Sequence, residues 1–205
     1  MLAAEYADAP VLFLEGTADV SHERLHRWLD SHGGWAGYPA AMVDSGQQTV
    51  GGRVDYAARY REMVQTSMAR EPGAEVSVTC GRDGDAVAAT VAVRNTSGAP
   101  LSSENDATVH LLVYEHARQL WTGRTIRGVA NASIAGSLGS GATQVFALRT
   151  DDLAPDDWAQ VRAVALVDYR PDGDVGRYDM LQAAQCDCSG STLSGLALPL
   201  VINGG

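Results

Sequence analysis

The sequence predicts an α/β region followed by an all-β region, and three observations support this fold class. Up to about residue 70, short apolar runs alternate with segments whose apolar residues recur at helical spacing. From about residue 75, the apolar period changes to two, and clusters of Gly, Pro, Asn and Asp separate the runs. Between the regions, EPGAE (71–75) carries a turn-forming Pro-Gly pair. We therefore expect a domain over 1–70, a second over 75–186 and a flexible tail over 187–205.

The first region is predicted to contain a strand, a helix, a β-hairpin and a second helix. The apolar run 11–16 has the length of a short buried strand, and Ser21 is suited to cap the helix that follows. After Pro39, strands over 40–44 and 47–52 join at a tight Ser-Gly turn. The last helix covers 53–69. The side chains expected to face the core are Leu25, Trp28 and Leu29 on the first helix and Tyr56, Tyr60, Met63 and Val64 on the second.

The second region is predicted to form seven short strands. In its first strand, Val76, Val78 and Cys80 alternate on one face, and an Asp-Gly turn leads into the second strand. Seven short strands with regular turn signals are typical of an immunoglobulin-like antiparallel β-sandwich, although the Cys-Trp-Cys spacing of antibody domains is absent. The predicted strands are 75–80, 86–93, 107–116, 125–134, 143–150, 160–170 and 178–185.

Composition and charge exclude several classes of partner. All 15 basic residues are arginine, they are scattered, and the net charge is −10, so we expect no nucleic acid partner. No apolar run approaches the roughly 20 residues that span a bilayer, so we expect no membrane span. Phosphate-loop, dinucleotide and nucleophilic-serine motifs are absent from the sequence. We therefore expect no cofactor and no metal.

The first region resembles the C-terminal half of a thioredoxin fold. In that fold a cis-proline opens a strand, a hairpin follows, and after a glycine the last helix packs on the sheet. Here Tyr38-Pro39 would be the cis-proline pair, 40–44 the strand and Gly52 the glycine. The Cys-x-x-Cys of thioredoxins would lie upstream, and residues 1–10 contain no cysteine. The resemblance therefore implies a partial, redox-inactive thioredoxin-like domain.

This resemblance leaves a gap in the expected sheet. The thioredoxin strand that leads to the cysteine pair lies between the two strands that correspond to 11–16 and 40–44. Without it, those two strands have no shared neighbour, and unpaired buried backbone groups are costly. Either another segment fills the gap, or the natural chain starts upstream of Met1. We favour the second alternative, a truncated domain.

The layout of a thioredoxin-like domain followed by a β-sandwich resembles the twenty-eight-kilodalton outer-membrane protein relatives, a family of bacterial envelope proteins. The stretches YPAAMVDSG (38–46) and YDMLQAAQC (178–186) are similar to that family. The resemblance implies an extracytoplasmic protein, in the bacterial envelope or secreted, whose activity is poorly defined. No signal peptide is present at the start of this sequence, and the export signal would lie in the upstream segment.

Two groups of residues are candidate sites. The residue before the cis-proline contacts substrate backbone in intact thioredoxin-like folds, so Tyr38, Pro39 and the nearby Trp35 are candidate binding residues, with core packing as the alternative for the two aromatic side chains. The cysteines Cys80, Cys186 and Cys188 form the second group. One bridge from Cys80 to either of the others would staple the sandwich, whereas the Cys-x-Cys pair could instead act in redox chemistry or bind a soft metal.

The sequence therefore predicts a non-catalytic envelope or secreted protein that binds protein or peptide. The alternative is a thiol-disulfide oxidoreductase, or a fragment of one, whose active-site cysteines lie upstream or at Cys186 and Cys188. A third alternative is a structural surface protein in which the sandwich is the functional part.

Overall fold

The computed structural model describes residues 2–16, 27–28, 31, 40–45, 48–51, 56–116, 123–173, 176–188 and 200–204. Strands dominate this part of the chain. The strands are β1 (Leu12–Gly16), β2 (Ala40–Val43), β3 (Gln48–Gly51), β4 (Ala74–Asp83), β5 (Ala86–Asn95), β6 (Leu101–Ser102), β7 (Thr108–His116), β8 (Arg124–Ser133), β9 (Ser137–Leu138), β10 (Thr143–Arg149), β11 (Val161–Tyr169), β12 (Asp179–Asp187) and β13 (Leu200–Gly204). The helices are α1 (Leu2–Glu5) and α2 (Tyr56–Met68), with single 3-10 turns at Ser103–Asn105 and Trp158–Gln160.

The seven strands predicted for the second region are present as β4, β5, β7, β8, β10, β11 and β12. Alternation of apolar and polar residues located strands such as β4 and β10, of which one face lies against a core, whereas β7 and β11 are nearly continuous buried runs. The hairpin β4–β5 has a two-residue loop, since Asp83 pairs with Ala86. Its first loop residue, Gly84, has a φ of +66°, which a glycine adopts without strain.

Two sheets enclose the main core. The sheet β10-β5-β4 faces the β12-β11-β7-β8 part of an eight-stranded sheet. Alternate side chains of both sheets meet between them, and β-branched residues predominate. This core includes Val76, Val78, Val87, Val91, Val93, Val109, Leu111, Val113, Val161, Ala163, Ala165 and Val167.

The central strands of the eight-stranded sheet are buried on both faces. On β7, Val109, Leu111 and Val113 point into the main core, while the alternate residues point to the opposite face. That opposite face carries a second apolar cluster, which Trp28 and Tyr178 cover. The cluster contains Leu12, Leu14, Trp28, Met42, Leu112, Tyr114, Ile126, Val164, Leu166, Tyr178, Met180 and Ala183. The sheet is therefore the middle layer of the described structure.

The strands of the predicted first domain continue this same sheet. The strand order is β12-β11-β7-β8-β1-β13-β2-β3. β1 lies beside β8 through the parallel pair Glu15 and Thr125. β13, from the C-terminal end of the chain, pairs parallel with β1 over 12–16 and antiparallel with β2 over 40–43. The position between β1 and β2 is thus filled by another segment of the chain.

The predicted fold class, α/β plus all-β with a partial thioredoxin-like domain, is wrong. The described chain is mostly β, α2 is its only helix longer than one turn, and strands from both predicted domains share one sheet. The all-β part of the prediction fits, whereas the helical part is lacking. The tail over 187–205 was expected to be flexible, but residues 200–204 form β13 in the interior of the sheet order. Backbone pairing supplies the reason, because β1 and β2 each need a neighbour there.

Helix α2 packs where its spacing predicts. Met63 and Val64 are fully buried and lie in a third apolar cluster with Val11, Phe13 and Val43. These partners come from the segment around β1 and from β2, so the helix covers the end of the sheet that β13 joins. Among the residues that the structure describes, no helix has the length and apolar character needed to cross a membrane.

A proline in β13 tests its interior position. Ile202 pairs with Leu14 on one side and with Met42 on the other. Ile202→Pro removes a backbone donor from this ladder, so we expect the free energy of unfolding to fall by at least about 1–3 kcal/mol. Ile202→Val keeps the amide and serves as the control in urea denaturation. Equal stability of the two variants would contradict an interior β13.

Candidate functional site

The structure describes one of the two predicted groups of site residues. Trp35, Tyr38 and Pro39 lie outside the described residues, so their role as binding residues stays a prediction. Cys80, Cys186 and Cys188 are described, and their three sulfur atoms all lie within 4.8 Å of one another. We call these residues the three-cysteine cluster.

The two sheets of the sandwich bring these cysteines together. Cys80 lies on β4 and follows Val76 and Val78 on the strand face that points into the main core. Cys186 is on β12, in the facing sheet, and Cys188 follows one residue after the end of that strand. Residues two apart in a strand project to the same side, so Cys186 and Cys188 both project toward β4. The cluster therefore connects the two sheets.

Either C-terminal cysteine can bridge to Cys80. The Sγ of Cys80 contacts the sulfur of Cys186 and that of Cys188. The Cα of Cys80 lies 6.2 Å from that of Cys186 and 4.9 Å from that of Cys188. Both distances fall in the usual range for a disulfide. A cysteine sulfur forms only one disulfide, so an oxidised monomer holds one of two alternative bridges and one thiol.

The surroundings of the cluster are apolar. Cys186 is 0% exposed and Cys188 is 5% exposed, and both lie in the main core, against which the partly buried Cys80 packs. The nearby Asp187 is paired with Arg162 at 3.2 Å. An uncharged disulfide and thiol suit this environment better than three thiolates around a soft metal ion, which would leave net negative charge in the core.

A second cluster of polar groups lies on the opposite face of the sheet. Asp168 on β11 is completely buried, and its Oδ1 lies 2.8 Å from Nε2 of the equally buried His110. Trp28 Nε1 donates a hydrogen bond of 2.8 Å to Oδ2 of the same carboxylate. Arg27 adds a longer bond of 3.3 Å to Oδ1. We call Arg27, Trp28, His110 and Asp168 the Asp168 cluster.

Arg27 connects this cluster to a neighbouring pair of residues. Its guanidinium donates to Asp106 Oδ2 at 2.9 Å and to the Asp106 carbonyl at 2.8 Å. The guanidinium carbon lies 4.1 Å from the centroid of the Tyr178 ring, which is cation–π distance. The Tyr178 hydroxyl in turn hydrogen-bonds the Asp106 carboxylate. The contacts hold residues 27 and 28 on the outer face of β7 and β11.

The Asp168 cluster acts as a structural anchor. A buried carboxylate stays in the interior only when donors surround it, and here three side chains supply them. The helical spacing around Trp28 predicted that its side chain is buried, whereas the roles of Arg27, His110 and Asp168 were not predicted. The signal in the sequence was a histidine and an aspartate interrupting the apolar runs of two adjacent strands, HLLVY and VALVD.

A third polar cluster joins the hairpin β2–β3 to helix α2 and β12. Asp44 accepts hydrogen bonds from Ser67 and, at 3.1 Å, from Arg70, whose guanidinium also pairs with Asp179. A cavity of about 120 Å³ lies beside these residues. Burial raises the pKa of the Asp44 carboxyl and that of the Asp179 carboxyl. Arg70 therefore offsets the cost of holding two carboxylates in a partly buried position.

No protein-family model matches the chain, and neither does any curated protein. Among solved structures, the sporulation control protein Spo0M from Bacillus subtilis aligns at 14% identity and a TM-score of 0.32, over 62% of this chain and 50% of that chain. For β-glucosidase 3B from Thermotoga neapolitana the identity is 11% and the TM-score 0.30, over 58% of this chain and 16% of that chain. The yeast δ-COP-I μ-homology domain aligns at 6% identity and a TM-score of 0.28, over 78% of this chain and 62% of that domain. At these TM-scores, the likeness carries no argument about fold or function.

Removing the Asp168 carboxylate should destabilise the protein strongly. Asp168→Ala leaves the buried donors of Trp28 and His110 without their acceptor and removes one partner of Arg27, so we expect a loss of about 3–5 kcal/mol in the free energy of unfolding. The exposed Asp151 provides the matched control, because surface substitutions usually change stability by less than about 0.5 kcal/mol. Urea denaturation measures both variants. A loss for Asp168→Ala no larger than for Asp151→Ala would refute the anchor.

Two buried phenols should make stability depend on alkaline pH. Burial, together with the hydrogen bond to Asp106, raises the pKa of Tyr178 to about 12, and burial raises that of Tyr114 to about 12. An unfolded tyrosine ionises near pH 10. The folded state therefore holds these protons more tightly, so the stabilising contribution is complete below about pH 10 and is lost as the pH rises toward 12.

The alkaline prediction is tested with two phenylalanine variants. Ultraviolet titration of the folded protein should show phenols that ionise near pH 12, and Tyr178→Phe and Tyr114→Phe should each remove one. Unfolding measured between pH 9 and 11.5 should lose less stability in each variant than in the parent chain. Unchanged titration curves in both variants would contradict this assignment.

Proposed function

We propose that the protein is a disulfide-stapled, non-catalytic module of an extracytoplasmic compartment, in the bacterial envelope or secreted, that binds a protein or peptide. The observation that carries this proposal is the three-cysteine cluster, which places Cys80 of one sheet against Cys186 and Cys188 of the facing sheet. Disulfides form and persist in oxidising compartments and are rare in the cytosol. A bridge between the sheets therefore fits an exported protein.

The bridge would stabilise the sandwich by constraining the unfolded chain. Its sequence separation is 106 residues for Cys80–Cys186 and 108 for Cys80–Cys188. Loops of this length correspond to about 4–5 kcal/mol in the chain-entropy model. Such a gain is a large fraction of the total free energy of unfolding of a typical domain, which is roughly 5–15 kcal/mol. A role in stability accounts for cysteines that are otherwise buried in apolar surroundings.

The candidate binding residues are Tyr38, Pro39 and Trp35, as the sequence predicts. The described surface adds an edge strand, β10, on which Val145 is 62% exposed. An open edge strand can accept an extended peptide as an additional strand. The binding region is therefore assigned to the Tyr38–Pro39 segment first and to the β10 edge second.

A thiol-disulfide oxidoreductase is the second candidate function. The observation that favours it is the thiol that remains beside either bridge. The burial of Cys186 and Cys188 opposes it, because catalytic cysteines lie in partly exposed, electropositive surroundings. Insulin reduction by dithiothreitol, with and without the protein, distinguishes the two: the proposed function predicts no acceleration.

The compartment is tested through the state of the cysteines. We expect one alkylated thiol per chain when the protein is purified from an oxidising compartment, unfolded in denaturant and alkylated without reductant, and three after reduction, as measured by intact mass. A chain that alkylates at all three cysteines without reductant would overturn the proposal of a disulfide-stapled protein.

Binding is tested with a defined peptide. Panning a peptide display library against the immobilised oxidised protein yields a consensus sequence, which is then synthesised with a fluorescent label. Tyr38→Ala should weaken its binding by at least about tenfold, which corresponds to about 1.4 kcal/mol. Val145→Ala is the control at the β10 edge. A loss of affinity for Val145→Ala alone would move the site to the edge strand, and no enriched peptide would oppose the binding function.

A further inference from the structure

We propose that the three-cysteine cluster is an exchangeable disulfide, in which Cys80 alternates between Cys186 and Cys188 and takes up a thiol ligand reversibly as a mixed disulfide. This inference goes beyond the proposed function, because a structural bridge requires only two cysteines. The ligand class is a small thiol or a peptide that carries a cysteine.

The geometry allows two bridged forms of the cluster, which differ only in whether Cys186 or Cys188 is bonded to Cys80. The Cα separations of 6.2 Å and 4.9 Å each allow a disulfide, and the three sulfurs lie within 4.8 Å of one another. Neither bridge therefore requires the two sheets to move apart. The change from one bridge to the other uses sulfur atoms that are already neighbours.

The internal exchange needs no external oxidant or reductant. In the state bridged through Cys186, the Cys188 thiolate attacks the Sγ of Cys80. The Cys80–Cys188 bond forms while the Cys80–Cys186 bond breaks, and the electron pair leaves on Cys186, which takes up a proton. One disulfide and one thiol are present before and after the step, so the oxidation state of the protein does not change.

Exposure identifies Cys80 as the sulfur that an external thiol reaches. Cys186 and Cys188 are buried at 0% and 5%, whereas Cys80 is only partly buried. Cys80 lies on β4, which is an edge strand of the three-stranded sheet. A small thiol or a peptide cysteine would therefore approach the sulfur of Cys80 from that edge.

The reaction with a thiol ligand is balanced in the same way. The ligand thiolate attacks the Sγ of Cys80, a ligand–Cys80 disulfide forms, and the bond to Cys186 or Cys188 breaks. The released cysteine takes the electron pair and then a proton. Both C-terminal thiols are then available, and attack by either on Cys80 closes an internal bridge again and releases the ligand as a thiol.

The first experiment maps the bridges in the full chain. The oxidised protein is quenched in acid, alkylated and digested without reductant, and linked peptides are identified by mass spectrometry. We expect both the Cys80–Cys186 and the Cys80–Cys188 linkage in the parent chain, Cys80–Cys188 alone in Cys186→Ser and Cys80–Cys186 alone in Cys188→Ser. Each serine variant keeps one bridge between the sheets, so each retains the staple and serves as the other's control.

The second experiment measures exchange and ligand uptake. Because the thiolate is the attacking species, the interconversion of the two linkages should slow about tenfold per pH unit below the thiol pKa. Reduced glutathione is the probe thiol and should be found on Cys80. In the parent chain, two internal bridges compete with the mixed disulfide, whereas in each serine variant only one does. If the two bridges are equally stable, the mixed disulfide should therefore be about twofold more abundant in the variants.

Several results would overturn the proposal. One is a single linkage in the parent chain that persists after equilibration with glutathione. A bridge between Cys186 and Cys188 with Cys80 free would also refute it, as would glutathione found only on the C-terminal cysteines. Two linkages in the parent chain with no glutathione found on Cys80 at any glutathione concentration would show static heterogeneity instead of exchange, and would refute it equally.

Discussion

The pairing of β13 with β1 and β2 is the constraint on which the arrangement of the described chain depends. The register between β1 and β8 contains a single pair of residues, while β13 pairs with five residues of β1 and four of β2. Without β13, the facing edges of β1 and β2 would be left unpaired, and their buried backbone groups would lose hydrogen bonds. The last described residues of the chain therefore join the hairpin β2–β3, and the helix that packs against it, to the sandwich.

The eight-stranded sheet also explains why the molecule has polar clusters on one side and sulfur atoms on the other. Its inner face meets the three-stranded sheet, and the three-cysteine cluster lies at that contact. On its outer face, Trp28 and Tyr178 cover the second apolar cluster. There the Asp168 cluster supplies side-chain hydrogen bonds that fix residues 27 and 28 in place. Sulfur contacts thus connect the inner face to the three-stranded sheet, and side-chain hydrogen bonds hold residues 27 and 28 on the outer face.

The three-cysteine cluster combines a structural and a chemical role because of where its members lie. A bridge through the core constrains the unfolded chain, and its apolar surroundings favour the uncharged forms of sulfur. The third cysteine adds a second partner for Cys80 without adding charge. Both C-terminal cysteines can reach Cys80 because residues two apart in a strand project to the same side, here toward β4.

The sequence by itself determined where most strands begin and end, because alternation reports which faces of a strand are buried. It also indicated the face of α2, where Tyr60, Met63 and Val64 follow helical spacing. Periodicity carries no information about which strands pair, so it left the neighbours of β1 and β2 open, and the thioredoxin-like interpretation was wrong. The tertiary structure alone decided that β13 lies between them, that Cys80 faces both C-terminal cysteines, and that Asp168 meets Trp28 across 140 residues of sequence. These contacts join segments distant along the chain, and only the closure of the sheets brings them within bonding distance.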